Sequence, residues 1–227
     1  KSGAVTRGWL GVQIQSVNED MADALGLPDT SGALVGEVID ASPAEKAGVK
    51  QGDVVLKMNG VEIKDNKDLS RKVAALQVGQ SANFTIWRKD REMNVSVTIA
   101  KRPGEDRLAG NTAPKGGKDD AKSGGADVAA LGMELATITP AVRSEYELDG
   151  KASGLLITDI EPDSDAAERG LRPGDRIVSI GGNEVKSVEE VKSAIATAKS
   201  QKRGSVLLFV ETQRGAKAYV PVKLKKS

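Results

Sequence analysis

The sequence predicts a mixed α/β, strand-rich chain that folds as two small domains joined by a linker. Three observations support this. The two halves repeat each other at a spacing of 122 residues, each half alternates apolar and polar residues over short segments, and the stretch between them is rich in Gly, Pro, Lys and Asp. A length of 227 residues also suits two domains of about 100 residues each.

The internal repeat is the strongest of these observations. Aligning residues 32–64 with residues 154–186 without a gap leaves ten of 33 positions identical, where about two would be expected from average composition. Eight of the other 23 positions exchange one apolar residue for another. A repeated unit of about 100 residues is too long for a solenoid repeat and indicates a duplicated domain.

The domain boundaries follow from the composition between the two copies. Residues 101–126 contain almost no large apolar side chains, so they can bury too little surface to offset the entropy of ordering. We expect a first domain at 1–102, a flexible linker at 103–126 and a second domain at 127–227.

The first elements of each copy are expected in the same order. Segments 32–38 and 154–160 are short and apolar, as strands are. Residues 42–47 begin as a capped helical turn with proline at its first helical position. Residues 53–58 predict a strand that closes at the turn Asn59-Gly60.

A longer helix and a hairpin complete each copy. Residues 66–76 carry apolar residues three or four positions apart, which predicts an amphipathic helix, and residues 188–195 repeat the pattern. Residues 84–99 and 206–224 alternate apolar and polar side chains on both sides of a turn, which predicts a hairpin. About five strands and two helices per copy indicate a small, partly open barrel or sandwich.

Two residue types are missing from the chain. It contains no His and no Cys, so its own side chains can build neither a Ser-His-Asp triad nor a thiolate nucleophile. We therefore expect no catalytic residue, no metal site and no cofactor in this chain. A net charge of +1 argues against nucleic-acid binding, and the longest apolar run, residues 206–210, is too short to span a membrane.

A pair of Gly-Asp dipeptides invites a catalytic interpretation. Gly52-Asp53 and Gly174-Asp175 occupy equivalent positions in the two copies. We expect the glycine to supply the turn and the aspartate to accept hydrogen bonds from nearby backbone amides. The sequence therefore favours a structural role for both aspartates.

The most informative string opens the first copy and reads Arg7-Gly8-Trp9-Leu10-Gly11-Val12-Gln13-Ile14. Together with Ser42-Pro43-Ala44, Ala47-Gly48-Val49, Gly52-Asp53-Val54-Val55 and Asn59-Gly60, it resembles a bacterial PDZ domain. Two such domains in tandem resemble the C-terminal region of the HtrA/Deg family of periplasmic serine proteases, DegP-like members in particular. The segment 21–28 is typical of the first PDZ domain of that family. The resemblance covers each half of the chain and excludes only the linker.

The loop of the first copy has the features of a carboxylate-binding site. A glycine between two apolar residues, in Leu10-Gly11-Val12, can aim consecutive backbone N–H groups at one point and hold a carboxylate. Arg7 would add a charge-assisted hydrogen bond. The strand that follows would offer its edge to an extended peptide, and the helix at 66–76 would form the opposite wall.

The predicted peptide-binding residues of the first domain are Arg7, Trp9, Leu10, Gly11, Val12, Ile14, Leu69 and Val73. For each apolar residue taken alone, a place in the hydrophobic core is an equally good interpretation. As a unit, Leu10-Gly11-Val12 favours the binding loop.

The second copy keeps only part of this loop. It reads Ala129-Ala130-Leu131-Gly132-Met133, which retains Leu-Gly followed by an apolar residue but lacks the preceding Arg and Trp. We expect weaker peptide binding there, through Leu131, Gly132, Met133, Leu135, Val191 and Ile195. In DegP-like proteins the first PDZ domain captures substrate ends and the second contributes mainly to assembly, and the asymmetry fits that division.

The resemblance implies a function and a location. The chain would be the peptide-binding regulatory and substrate-capture region of a periplasmic serine endoprotease-chaperone that degrades misfolded envelope proteins. Its partners would be unfolded or misfolded proteins and C-terminal peptides, and its parent would be a homo-oligomer built from trimers. The catalytic Ser, His and Asp would lie upstream of Lys1.

Two other functions remain open on the sequence alone. The chain could be a non-enzymatic PDZ adaptor or a secretion-scaffold component, and a Gly-Asn-Ser-Gly-Gly motif upstream of Lys1 would decide for the protease instead. It could also be an enzyme that works through carboxylates alone, and a pocket holding two acidic side chains with raised pKa values would favour that alternative.

Overall fold

The computed structural model describes residues 8–101, 125–146, 148 and 152–225. The chain divides into two compact units, one made of residues 1–18 and 29–112, the other of residues 19–28 and 113–227. The segment 19–28, which the sequence places in the first domain, therefore clusters with the second unit. Within the described residues, no helix combines the length and the apolar composition needed to cross a membrane.

Both units are strand-rich with few helices, as predicted. In chain order the elements are β1 (Gly8–Trp9), β2 (Val12–Ser16), α1 (Glu19–Leu25), β3 (Ala33–Val38), α2 (Pro43–Lys46), β4 (Val54–Met58), β5 (Val61–Glu62), α3 (Asn66–Ala75), β6 (Ser81–Arg88), β7 (Arg91–Thr98), β8 (Ala100–Lys101), β9 (Ala126–Val128), β10 (Met133–Thr137), α4 (Pro140–Glu145), β11 (Leu155–Ile160), α5 (Asp165–Glu168), β12 (Arg176–Ile180), β13 (Asn183–Glu184), α6 (Val188–Ser200), β14 (Ser205–Glu211) and β15 (Lys217–Lys223).

The first unit is built on an antiparallel sheet in the order β2-β3-β4-β6-β7, with β5 paired to β4. β1 and β8 form a separate two-stranded ribbon. The core is aliphatic apart from Phe84, which is 1% exposed. Because β2 ends the sheet, it pairs with a described strand on one side only. The candidate functional site lies at its other edge.

The helices of the first unit begin where the sequence predicts. Ser42 caps α2 by accepting a hydrogen bond from the Glu45 N–H at 3.2 Å, with Pro43 at the first helical position. Asp65 caps α3 by accepting from the Asp68 N–H at 2.7 Å. The side chains that α3 buries are Leu69 and Val73, so its apolar stripe faces the sheet.

The second unit repeats this architecture with one added strand. Its sheet runs β15-β14-β12-β11-β10-β9, with β13 paired to β12. α6 begins with a capping box, in which the Ser187 and Glu190 side chains each bond the other's backbone N–H. Most of the predicted linker lies outside the described residues. Its last residue, Ala126, begins β9.

α1 completes the second unit by packing against β14 and β15. Its buried side chains are Met21, Ala22 and Ala24. Two polar contacts fix its carboxyl end: Arg203 donates from Nη1 to the Ala24 carbonyl at 3.1 Å, and the Gly204 N–H donates to the Asp23 carboxylate at 2.9 Å.

Candidate peptide-binding site

The loop before β2 turns its carbonyls inward and leaves its amides unused. The Leu10 carbonyl accepts from the Ala44 N–H at 3.0 Å, and the Gly11 carbonyl accepts from the Ile39 N–H at 2.9 Å. Neither the Leu10 N–H nor the Gly11 N–H donates to an acceptor within the described part of the chain. Two successive free N–H groups at the start of an edge strand are suited to bind one anion.

Gly11 is held in place by Ser42. Its φ of +83° lies in the left-handed region, and a Cβ atom at this position would fall onto the Ser42 Cβ, with Oγ at 2.8 Å. Ser42 itself is fully buried. A serine that the sequence marks only as a helix cap is thus also the floor of the loop. Its counterpart Ser164 lies under Gly132 in the same way, so the identity of the two serines in the repeat was a signal for this role.

β2 and α3 are neighbours in the first unit, and the strip of surface between them is the candidate groove. Val12 and Ile14 on β2 are half-buried, and so is Leu76 at the end of α3. Gly8 brings β1 against the end of this helix, because a Cβ there would come within 2.9 Å of the Leu76 carbonyl. The groove therefore has a polar end at the loop amides and apolar walls, which suits the end of an extended peptide.

The predicted residues of the first domain fall into three groups. Leu10, Leu69 and Val73 are at most 6% exposed and belong to the core, while Val12 and Ile14 line the groove. A Cβ at Gly11 would lie 3.2 Å from the Trp9 ring, so Trp9 stands beside the loop as expected. Arg7 lies outside the described residues. Leu76 was missed as a site residue, although it belongs to the predicted apolar stripe.

The second domain has the same strand register at the equivalent position, but the edge of its sheet is occupied. The register of β10 on β11 repeats that of β2 on β3, including the irregularity between Glu134 and Leu135 that matches the one between Gln13 and Ile14. Here, however, β9 occupies the outer edge of β10. The second-domain residues predicted to bind peptide are covered. Five of them are at most 5% exposed, namely Leu131, Met133, Leu135, Val191 and Ile195. The sixth is Gly132, where a Cβ atom would come within 3.3 Å of the Lys225 side chain.

The two aspartates of the Gly-Asp pairs close turns, as predicted. The Lys50 N–H donates to Asp53 at 2.7 Å, and the Arg172 N–H donates to Asp175 at 3.0 Å. In the first domain Arg88 also binds both oxygens of Asp53, at 2.7 and 2.6 Å, and this hydrogen bonding raises the pKa of Arg88.

Asp175 has a different environment. It receives a second backbone bond, from the Gln213 N–H at 3.2 Å, and burial raises its pKa above the ordinary value of 3.8. Within the described residues, no group of three acidic side chains is placed to hold a metal ion.

Comparison with known proteins identifies both halves. Residues 8–99 and residues 156–206 each match a family model described as PDZ domain. Among curated proteins, a probable periplasmic serine endoprotease DegP-like from Rhizobium meliloti (strain 1021) is 43% identical over 217 residues, which is 96% of this chain and 41% of the relative. A relative with the same description from Brucella suis biovar 1 (strain 1330) is 41% identical over 212 residues, 93% of this chain and 38% of the relative.

The chain spans about two fifths of the length of these curated relatives. Among solved structures, one described as the HtrA-type protease AlgW with tripeptide is 32% identical, with a TM-score of 0.43. The match covers 47% of this chain and 35% of that one.

Proposed function

The chain belongs to the PDZ domain family, as two domains homologous to DegP-like periplasmic serine endoproteases, and on this premise we propose that its first domain captures the free C-termini of polypeptides. The observation that carries the proposal is the pair of free N–H groups at Leu10 and Gly11, at the start of the edge strand β2. Together they offer two donors to one carboxylate.

The bound peptide would extend the sheet. Its terminal carboxylate accepts from the loop amides, and its backbone pairs antiparallel with β2, so its last side chain lies opposite Val12. Val12, Ile14 and Leu76 supply the apolar surface that this side chain covers. We expect micromolar binding, about −8 kcal/mol, for a peptide with an apolar last residue.

In the parent protein this capture would serve proteolysis. Because the chain has no His, a Ser-His-Asp triad must come from outside these 227 residues. The relatives are named as periplasmic serine endoproteases, which supports a role in presenting unfolded or misfolded envelope proteins to such a centre. A periplasmic location of the parent is part of the same proposal.

The proposal is tested most locally by NMR. A short peptide that ends in valine, with a free carboxylate, is titrated into the full chain labelled with 15N. We expect the largest downfield shifts at the Leu10 and Gly11 N–H groups, because a charged acceptor strengthens their hydrogen bonds. If these two signals stay in place while the peptide saturates another region, the carboxylate site is not the loop.

A further inference from the structure

The groove of the second domain is filled by the chain's own residues. β9 (Ala126–Val128) pairs antiparallel with β10, placing Val128 opposite Met133 and Ala126 opposite Leu135. This is the edge that, in the first domain, ends the sheet at β2. It is also the edge to which the first domain is proposed to add a peptide.

The position and direction of β9 copy those of a bound C-terminus. A captured peptide runs antiparallel to the edge strand and places its last side chain beside the start of that strand. Val128 takes this place: it is 3% exposed and lies in one apolar cluster with Val191 and Ile195 of α6. β9 packs against α6 as well as against β10.

Backbone oxygens take the place of the terminal carboxylate. The Val128 carbonyl accepts from the Leu131 N–H at 2.8 Å, and the Ala129 carbonyl accepts from the Gly132 N–H at 3.2 Å. These two N–H groups are the counterparts of those that Leu10 and Gly11 leave free. The donors that would bind a carboxylate in the second domain are thus already used within the turn 129–132.

The groove residues are also more buried in the second domain than in the first, as expected if β9 fills the groove. Val12 and Ile14 in the first domain are half-buried, whereas their counterparts Met133 and Leu135 are 1% and 0% exposed. The strand registers are the same in both domains, so the sheet itself does not explain the difference. The added cover in the second domain includes the Val128 side chain, which lies in the same cluster.

We propose that Ala126–Val128 is an internal pseudo-ligand, which closes the second domain to C-terminal peptides and, when dislodged, uncovers a second carboxylate-binding groove. The proposal rests on the function proposed for the first domain, because it assumes that such a groove takes peptide ends. A peptide can then bind the second domain only in the small fraction of molecules in which β9 has left β10. The apparent affinity of the second domain is reduced in proportion to that fraction.

Gly125 gives a way to dislodge this strand without altering the core. A Cβ atom at Gly125 would fall onto the Thr158 hydroxyl and come within 3.1 Å of the Glu134 Cβ. Its φ lies outside the left-handed region, so packing alone demands glycine here. Gly125→Val should therefore push β9 away from β10 while leaving residues 129–225 their own contacts.

A second variant attacks the strand pairing directly. Asp127 is exposed and lies in the middle of β9. Asp127→Pro removes a backbone donor and restricts φ, which disfavours a paired strand. Asp127→Ala changes the same side chain but keeps the backbone, and is the matched control.

The valine-ending peptide is titrated into the wild-type chain of 227 residues and into the three variants. Binding is followed by NMR, and hydrogen exchange is measured at β9 and β10. In the wild type and in Asp127→Ala we expect shifts in the first domain alone. In Gly125→Val and Asp127→Pro we expect faster exchange at β9, new shifts in β10 and α6, and second-domain affinity increased by about tenfold or more.

Three results would overturn the inference. One is second-domain binding in the wild type as tight as in the variants. Another is failure of the second domain to bind peptide once exchange shows that β9 has been released. The third is unchanged exchange at β9 in both variants. Failure of the first-domain proposal would instead appear as absent shifts at Leu10 and Gly11 in the wild type.

Discussion

Gly11 shows how one residue can serve both conformation and contact. It adopts a φ of +83°, and its missing side chain also makes room for Ser42. Gly60 shares only the first property, since its φ is +80° and a Cβ there would meet nothing within 4 Å. The two glycines therefore separate backbone strain from loop packing.

Gly11→Ala is expected to weaken peptide binding by about tenfold or more, because the new methyl group must displace either Ser42 or the loop whose amides bind the carboxylate. Both Gly11→Ala and Gly60→Ala should lose about 1–2 kcal/mol of stability from the left-handed backbone. Calorimetric titration with the valine-ending peptide measures the difference. Equal affinities of the two variants would remove Gly11 from the site.

Arg88 supplies the cation that pairs with the buried Asp53 carboxylate. Arg88→Ala would leave a carboxylate that is 1% exposed without its cation, which costs about 3–5 kcal/mol. Both tryptophans, Trp9 and Trp87, lie in the first domain, so denaturant unfolding followed by their fluorescence reports the loss. Arg91→Ala, on the exposed start of β7, is the control and should change the unfolding midpoint little. An unchanged midpoint for Arg88→Ala would contradict the buried ion pair.

Residue identities predicted some of these roles and not others. The Gly-Asp dipeptide was enough to predict the turn that Asp53 closes, because its amide partner lies three residues away. Arg88 lies 35 residues away in sequence, and one arginine among many carries no local sign of its partner. The contact between Gly11 and Ser42, which lie 31 residues apart in sequence, was hidden for the same reason.

At the level of the strands and helices, the sequence repeat predicts two domains that are more alike than the structure shows them to be. The strands and helices following each loop appear in the predicted order, because apolar periodicity and caps are local signals. The repeat did not predict that β9 would cover one groove. The predicted boundary between the linker and the second domain, after residue 126, falls inside β9 (Ala126–Val128), which pairs with the edge of β10.

The stability with which α1 packs in the second unit is expected to depend on pH. Arg169 donates to the Asp20 carboxylate, and this bond, aided by the charge of Lys223, lowers the pKa of Asp20 below 3.8. A lowered carboxyl pKa stabilises the folded state above the unfolded pKa and ceases to do so as pH falls through the folded one. The contribution of this ion pair is therefore present at neutral pH and lost in strong acid.

Hydrogen exchange of the α1 amides, corrected for the intrinsic rate, measures this dependence. We expect weaker protection at about pH 3 than at about pH 6 in the wild type. Asp20→Asn should show weaker protection at pH 6 and a smaller change between the two conditions. The same pH dependence in Asp20→Asn as in the wild type would assign the effect to another group.

At the scale of the whole molecule, the duplication was readable from the sequence and the membership of one segment was not. Ten identities in 33 aligned positions predict two copies of one domain. Residues 19–28, by contrast, cluster with the second unit. Their partners, such as Arg169 and Arg203, lie at least 140 residues further along the chain, so no periodicity or motif in the segment itself could reveal them.

The function proposed for the first domain requires that this chain recognise the carboxylate at the end of a polypeptide. Calorimetric titration of the full chain compares the valine-ending peptide with the same peptide amidated at its C-terminus. We expect micromolar binding of the free acid and binding of the amide weaker by about tenfold or more, since a hydrogen bond to a charged group contributes about 1.5–3 kcal/mol. Equal affinity for the two peptides would show that the chain does not recognise the carboxylate.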